Sequence, residues 1–537
     1  MTEAITSLAV TDLPTPSSNG HHDLEEARRL TDEDLAQHFT ALVQKTLLEA
    51  DPKTGELQHW ITVNGQSFRW ADNHYAPIST STLRRQIVDI SRVAKLERKG
   101  VELHPFMKPR FIEEAFKWIQ QLTERDPSEI NPDGLINCRN GVLRIDWVAR
   151  TPKPVLVPHD PTIHLFTDPP GLTYDANAST AEAERLLQCI PEQSRPLLLE
   201  CIGASFAVRT IRAFGHRIPA LLLIGDGENG KDTLRQALTW IHGSGSVALI
   251  SIRDWQQYER GEGRGRFSVS QLGTARLSIG SENSGAFKLD NLETLKAAIT
   301  GDPIFIEGKG TGGNSIAPRA LMLWFLNSMP LLDGGTNAIL SRWGVINLPY
   351  SYSTKPRPGQ LQADPRFKHD PEWMADHVLP GLLNLAIAGL ARAAQQGFSL
   401  DSVADSLQAL REETCHLHQF LRDEGYEKGD PTDYELHRTL WQDLQRWYQE
   451  NGWMIQNTRT GDWELAPSDS GDKPVRAPKD LIKRLRQVLP AATAGRLTDS
   501  TRAAVIYGIR RRRPSEAAGP LPPNQPEIVP PDDELDF

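Results

Sequence analysis

Between His59 and Ile78 apolar and aromatic residues alternate with polar ones in three short runs (HWITV, SFRW, HYAPI) separated by turn residues. That pattern predicts a set of short strands. On either side the period lengthens, and residues 24–50 and 81–125 carry apolar positions at helical spacing. Asn137 to Ile145 (NCRNGVLRI) predicts an Asn-Gly turn running into a strand, and residues 180–214 are again helical. From 218 to 350 continuous apolar runs alternate with helical segments, the mark of an α/β layer fold. Residues 372–397 are predicted to form a helical lid, and residues from about 430 to 513 a small mixed domain. The Ser/Thr/Pro/Gly-rich first 25 residues, and the Pro-rich then acidic tail from Pro514, are expected to be disordered.

A chain of 537 residues is too long for one ordinary core and implies several domains. Its net charge of -10 argues against a simple nucleic-acid coat, but not against a motor whose basic groups are local. The four cysteines (Cys138, Cys189, Cys201, Cys415) form no C-x-x-C pair, and Cys415 with His416 and His418 offers too few ligands for a zinc site. Free thiols in a reducing compartment are the expectation. No basic region followed by an apolar stretch opens the chain, and the apolar stretch Val378 to Ala391 is broken by Pro380, Gly381, Asn384 and Gly389. A cytoplasmic protein with no membrane span is expected.

The sharpest chemical signal is the apolar run Leu221 to Ile224, followed by Gly225, Asp226, Gly227, Glu228, Asn229, Gly230, Lys231, Asp232 and Thr233. Leu234, Ala237, Leu238 and Ile241 then continue at helical spacing. Strand, glycine-rich loop and helix are the context of a P-loop: backbone N–H groups curl around phosphate, the helix N-terminus adds partial positive charge, and Lys231 reaches the outer phosphates. The competing reading is a mere Gly-rich turn. The position after the lysine, usually a Ser or Thr whose hydroxyl binds Mg²⁺, is Asp232 here, with Thr233 one place later. Three outcomes stay open: Asp232 takes the metal, Thr233 does so through a shifted turn, or the site is weakened.

Further along, the run Arg276 to Ser281 ends on Glu282, an acid suited to handling Mg²⁺ and attacking water at a strand end beside the P-loop strand. The run Leu321 to Leu326 ends on Asn327, whose amide is suited to orienting that water. Arg342 precedes the strand Val345 to Leu348, where a guanidinium could reach the phosphates of a neighbouring subunit or serve as an ordinary ion-pair residue. Lys296, Thr300, Gly301 and Asp302 lead into a predicted β-hairpin with a Gly-rich tip carrying Lys309.

In this order the motifs resemble the superfamily III helicases, specifically the poxvirus-type and phage/plasmid primase-helicase family. The resemblance runs over roughly residues 56–513 and includes Asn327-Ser328-Met329-Pro330 and Asn140-Gly141-Val142-Leu143. It implies an α/β protein with an AAA+ P-loop ATPase core, an α+β N-terminal helicase-associated domain and a small C-terminal winged-helix-like domain. The domains expected are 26–214, 215–400 (the motor) and 401–513, with 1–25 and 514–537 disordered. The resemblance also implies ATP and Mg²⁺ as cofactors, DNA as partner, a homo-hexamer, and Lys309 as a pore residue that grips DNA. In multifunctional members of that family a primase domain precedes the motor; the first hundred-odd residues here are too few for one, so a helicase without a primase is expected. The alternative is an initiator or loader scaffold that binds ATP and DNA with weak or no hydrolysis.

From Arg476 to Arg513 there are eleven basic residues against Asp480 and Asp499, so this region is expected to contact DNA phosphates through Lys483, Arg484, Arg486 and Arg510. The acidic end, Pro531 to Phe537, resembles the partner-recruiting tails of bacterial single-stranded DNA-binding proteins, with a plain solubilising tail as the alternative.

Overall fold

The structure is a computed structural model that describes residues 31–49, 58–98, 101–280, 288–289, 292–307, 313–327, 331–332, 342–406, 415–458, 460–466, 474–498 and 501–512. They divide into two units, the first reaching residue 408 and the second running from 409 with 331–335.

The first unit opens with a small α+β body. Thr31 and Asp34 form a capping box that starts helix Asp32–Leu48. Its face of Ala36, Phe39, Val43 and Leu47 packs against helices Thr80–Val93 and Pro109–Leu122 around Phe106 and Phe111. The alternating runs form an antiparallel meander, Trp60–Val63, Gln66–Ala71 and His74–Ile78, as expected. The first turn places Asn64 and Gly65 at φ 50° and 76°, left-handed values these two residue types tolerate. Residues 81–125 are not helical throughout. Leu96–Arg98 pairs antiparallel with Val101–Leu103, where the pattern Leu-Glu-Arg and Val-Glu-Leu has a period of two.

The centre of the unit is a five-stranded, all-parallel sheet: β1 (Ala220–Ile224), β2 (Val247–Leu249), β3 (Leu277–Gly280), β4 (Leu321–Leu326) and β5 (Trp343–Asn347), in the order β2-β3-β4-β1-β5. Strands β1 and β4 are buried on both faces, which is why they appear as unbroken apolar runs. The chain leaves β1 to build β2, β3 and β4 on one side, then returns to β5 on the other. Such a reversal opens a crevice at the carboxyl ends of the strands.

The expected boundary at 214/215 does not divide the core. Ile136, Leu143, Leu197 and Ile202 share one apolar cluster with Leu221, Leu238 and Leu382. Buried arginines reinforce this seam. Arg276 donates to the carbonyls of Asn131 (2.9 Å), Leu135 (2.6 Å) and Pro132, and Arg319 to that of Ile130 (3.0 Å). Burial lowers the Arg276 pKa to about 9.

Residues 372–397 are not a lid. Helix Leu379–Gln396 is a core element lying against helix Arg195–Ser205. Pro371–Gln396 is long and apolar enough to cross a membrane, contrary to the sequence expectation, but 61% of its apolar window is buried inside the unit. The helices touch at Gly203 and Gly389, where an added Cβ would lie 2.1 Å from the Ala386 carbonyl and 2.5 Å from Leu199 backbone. Nearby, His242 is fully enclosed, stacked on Phe206 at 4.6 Å, with Nδ1 donating to the Leu238 carbonyl (2.8 Å) and Nε2 facing the Ser205 hydroxyl (2.7 Å).

The second unit packs helices His416–Asp423, His437–Glu450 and Pro478–Val488 around Phe420, Trp447, Tyr448 and Leu481. Strands Tyr434–Leu436, Ala504–Tyr507 and Thr493–Arg496 form an antiparallel sheet in that order.

Two outcomes test this packing. Gly203→Ala should lower the thermal midpoint, by an overpacking cost of about 1–3 kcal/mol. Gly263→Ala, at a helical position with open space around it, should not. Burial also lowers the His242 pKa to about 4, so between its ordinary 6.5 and that value the unfolded chain binds a proton the folded one refuses. Stability should therefore fall with pH across this window, by roughly 3 kcal/mol from this group. Urea titrations at pH 7 and 4.5 should show the loss, and His242→Gln should lessen it.

Candidate nucleotide-binding cleft

The loop after β1 emerges at the crevice. Its backbone is left-handed at Glu228 (φ 62°) and Gly230 (φ 82°), and helix Lys231–His242 starts immediately afterwards. Left-handed residues beside right-handed ones turn successive N–H groups toward one point, a concavity suited to an anion. A non-glycine residue held at positive φ is a strained choice that clusters at functional sites. At Gly225 a Cβ would meet Asn229 Nδ2 at 2.2 Å and the Leu348 carbonyl at 2.7 Å, so only glycine allows this close fold-back. Asn229 is buried, and its Nδ2 has no hydrogen-bond acceptor among the described residues.

Lys231 is 9% exposed, rare for a lysine without a specific role. Its ammonium donates to the carbonyls of Gly225 and Leu326 (3.0 Å) and to the side-chain oxygen of Asn327. Lysine and asparagine, 96 positions apart, meet because β1 and β4 are neighbours in register, Ile224 opposite Leu326.

The strand that leads to Glu282 is β3, which lies beyond β4 and not beside β1 as expected, because β4 inserts between them. Glu282 itself is outside the described residues, as is Lys309. The flanks of the predicted hairpin are present, Ile304–Ile306 paired antiparallel with Asn314–Ile316. Arg342 stands at the amino end of β5, its carbonyl accepting from Ala220 N–H (2.9 Å). That places it a full strand length, about 16 Å at 3.3 Å per residue, from the loop of its own chain.

The crevice is a cleft of about 910 Å³, a size typical of small-molecule sites. Residues 227–233 and Asn327 form one side; Asp226 does not line it. Asp232 points to solvent, 82% exposed and 3.5 Å from Arg235, while Thr233 is half-buried in the lining. The rest of the lining was not foreseen: Arg185, Tyr352 to Thr354, Gln362 to Pro365 and Phe367 to His369, brought in by the fold from distant segments that carry no local motif. Tyr352 N–H donates to the Glu228 carbonyl (2.8 Å), and its ring lies 3.1 Å from where a Cβ on Gly230 would be. Arg366 and Arg185 hold the Asp364 carboxyl well below the usual carboxylate range. Burial raises the Cys189 thiol, beneath Gly230, to about 12, so it is an inert structural group.

In the second unit Lys483 and Arg486 are exposed on helix Pro478–Val488, with Arg486 also donating to the Ala492 carbonyl (3.0 Å), and Arg484 is half-buried. Arg510 differs from expectation. It pairs with Glu427 at 2.7 Å, Arg512 pairs with the same carboxylate at 2.8 Å, and Arg511 pairs with Glu424 at 3.0 Å. The basic excess counted along the chain is thus partly neutralised in space by acids some 85 positions away, across the strand pair Tyr426–Lys428 and Ile509–Arg511. The acidic tail lies outside the described residues, and no group of three metal-binding side chains occurs among them.

Residues 36–192 match the family described as D5 N terminal like, and residues 223–342 match a family of unknown function (DUF5906). No curated protein matches the chain. Among solved structures it is similar to the A form apo structure of the NrS-1 C terminal region, at 12% identity over 88% of this chain and 98% of that one, with a TM-score of 0.40. A second apo structure of that region is 14% identical over 88% of this chain and 99% of that one, with a TM-score of 0.39.

The loop geometry has a direct test. Gly225→Ala should weaken binding of a fluorescent ATP analogue by about tenfold or more, because steric overlap of this size forces the loop to shift. Gly227→Ala, with nothing within 4 Å of the added carbon, should cost far less.

Proposed function

We propose that this chain is an ATP-driven DNA motor, a helicase or translocase acting in replication of a phage, plasmid or integrated element. The observation that carries the proposal is the Lys231 ammonium, enclosed between the loop after β1 and Asn327 at the end of β4, at the mouth of a nucleotide-sized cleft. The fit to a nucleoside triphosphate is favourable on three counts: inward-turned backbone at Glu228 and Gly230, a buried Asn229 amide without an acceptor, and a helix N-terminus at Lys231. Asp232 and Thr233 both belong to the cleft lining, and one or the other would hold Mg²⁺ beside the phosphates, where the ion would offset their charge.

In this reading the parallel sheet of the first unit and the helices packed on it form an AAA+ core. Lys231 releases its oxygen partners and takes up phosphate, and Asn327 is then free to orient water at the end of the neighbouring strand. Arg342, too far from its own loop, would serve the cleft of the next subunit in a ring, which favours a homo-hexamer. Lys309 at the hairpin tip would follow the DNA. The second unit, three helices with a three-stranded antiparallel sheet, would be a winged-helix-like domain in this reading, with helix Pro478–Val488 presenting Lys483 and Arg486 to phosphates. The D5 N terminal like match is consistent with a replication role.

One observation favours a second reading, an initiator or loader scaffold that binds ATP and DNA but hydrolyses slowly. Asp232 occupies the usual hydroxyl position and adds negative charge at the cleft mouth. ATP hydrolysis with and without single-stranded DNA separates the two. The motor reading expects DNA-stimulated turnover that Lys231→Ala abolishes, while Lys309→Ala keeps basal turnover and loses the stimulation. A wild-type chain that binds ATP and DNA yet never turns over belongs to the scaffold. For the second unit, Lys483→Ala should lower DNA affinity and reduce the slope of log affinity against log salt by about one. Arg510→Ala should change that slope less, because Glu427 already neutralises it; equal slopes for the two variants would contradict this.

A further inference from the structure

The cleft that the P-loop lines carries a further cation from another segment of the chain. Four cationic side chains line the cleft, Arg185, Lys231, Arg235 and Lys368, against the three carboxylates Glu228, Asp232 and Asp364. Three of the four cations are already engaged. Lys231 is held by Gly225, Leu326 and Asn327. Arg235 lies 3.5 Å from Asp232, and Arg185 pairs with Glu182 at 2.6 Å and Asp364 at 3.2 Å. Lys368, exposed on the short helix Arg366–His369, has no carboxylate within ion-pair distance among the described residues. The nearest acid in sequence, Asp364, is taken by Arg366 at 2.7 Å and by Arg185.

We propose that Lys368 is a second phosphate-binding cation, taking the outermost phosphate of a nucleoside triphosphate in the cleft it lines together with the P-loop. The assignment rests on the nucleotide-binding reading above and deepens it. A triphosphate carries more negative charge than one magnesium ion and one lysine neutralise. The backbone cradle and helix N-terminus would surround the inner phosphates and leave the last one open to the other residues of the cleft lining. Turning Arg185 or Arg235 toward it would break an existing ion pair, whereas Lys368 gives up only water. Its stem is long and flexible, so the ammonium reaches a phosphate as a mobile point charge. Lys368 would therefore make the cleft distinguish a triphosphate from a diphosphate, which lacks the group it touches.

Isothermal titration of the full chain with Mg²⁺ and either a non-hydrolysable ATP analogue or ADP tests this. Lys368→Ala should weaken the analogue by about tenfold, the scale of one charge-assisted contact, and leave ADP within about twofold. Lys368→Arg should recover most of the loss, because the charge is restored. Thermal melts of the three proteins should coincide, since the side chain is exposed. Equal affinity of wild type and Lys368→Ala for the analogue would overturn the assignment while leaving the P-loop reading intact, and so would equal losses for analogue and ADP. Failure of wild type to bind either nucleotide would remove the cleft reading itself and the role of Lys368 with it.

Discussion

A lysine ammonium cannot be buried without oxygen partners, and that constraint organises the centre of this protein. Lys231 meets it with two carbonyls and one side-chain amide, drawn from the loop after β1 and from the end of β4. The arrangement requires β4 to lie directly beside β1, with the chain ends of both strands at the same edge of the sheet. The glycines of the loop follow from the same demand. Gly225 must let the backbone fold onto Asn229 and Leu348, and Gly230 must enter the helix from a left-handed conformation over the Tyr352 ring. A site held this way is poised, because an incoming phosphate replaces neutral oxygens with charged ones around the same ammonium.

A second buried cation extends the argument outward. Arg276, at the start of β3, satisfies its guanidinium on three carbonyls of the segment 131–135, and Arg319, just ahead of β4, on Ile130. Removing such a group from water is costly, so these bonds fix the 131–135 segment to the sheet. The region matching the D5 N terminal like family thus ends inside the core of the sheet-bearing layer, and 136–211 cannot be separated from it as a domain. The Gly203 and Gly389 crossing does the same for helix Leu379–Gln396, whose apolar surface faces protein along most of its length.

What could be read from the sequence was what local chemistry dictates. The buried strands, the Asn64-Gly65 turn, the capped first helix and the strand–loop–helix around Lys231 all follow from residue type at fixed spacing. What escaped was set by pairing across long stretches of chain. No local pattern places β4 between β1 and β3, or brings Tyr352 and Lys368 into one cleft with Gly230. The same holds for Arg510, whose basic run looks free until Glu427 is found beside it in the antiparallel partner strand. The apolar stretch Val378 to Ala391 looked broken because its glycines and proline resemble interruptions. In the fold, Pro380 occupies the first turn of the helix, and Gly389 is where a neighbouring backbone approaches.

The central claim is that the cleft above β1 and β4 receives the phosphates of a nucleoside triphosphate. A crystal structure of the full chain with Mg²⁺ and a non-hydrolysable ATP analogue tests it most directly. The account predicts phosphate density cradled by residues 225–231, with the Lys231 ammonium moved off the Asn327 oxygen and onto phosphate, and the metal beside Asp232 or Thr233. Nucleotide bound elsewhere, or a saturated crystal in which Lys231 still holds Gly225, Leu326 and Asn327 with the cleft empty, would contradict it.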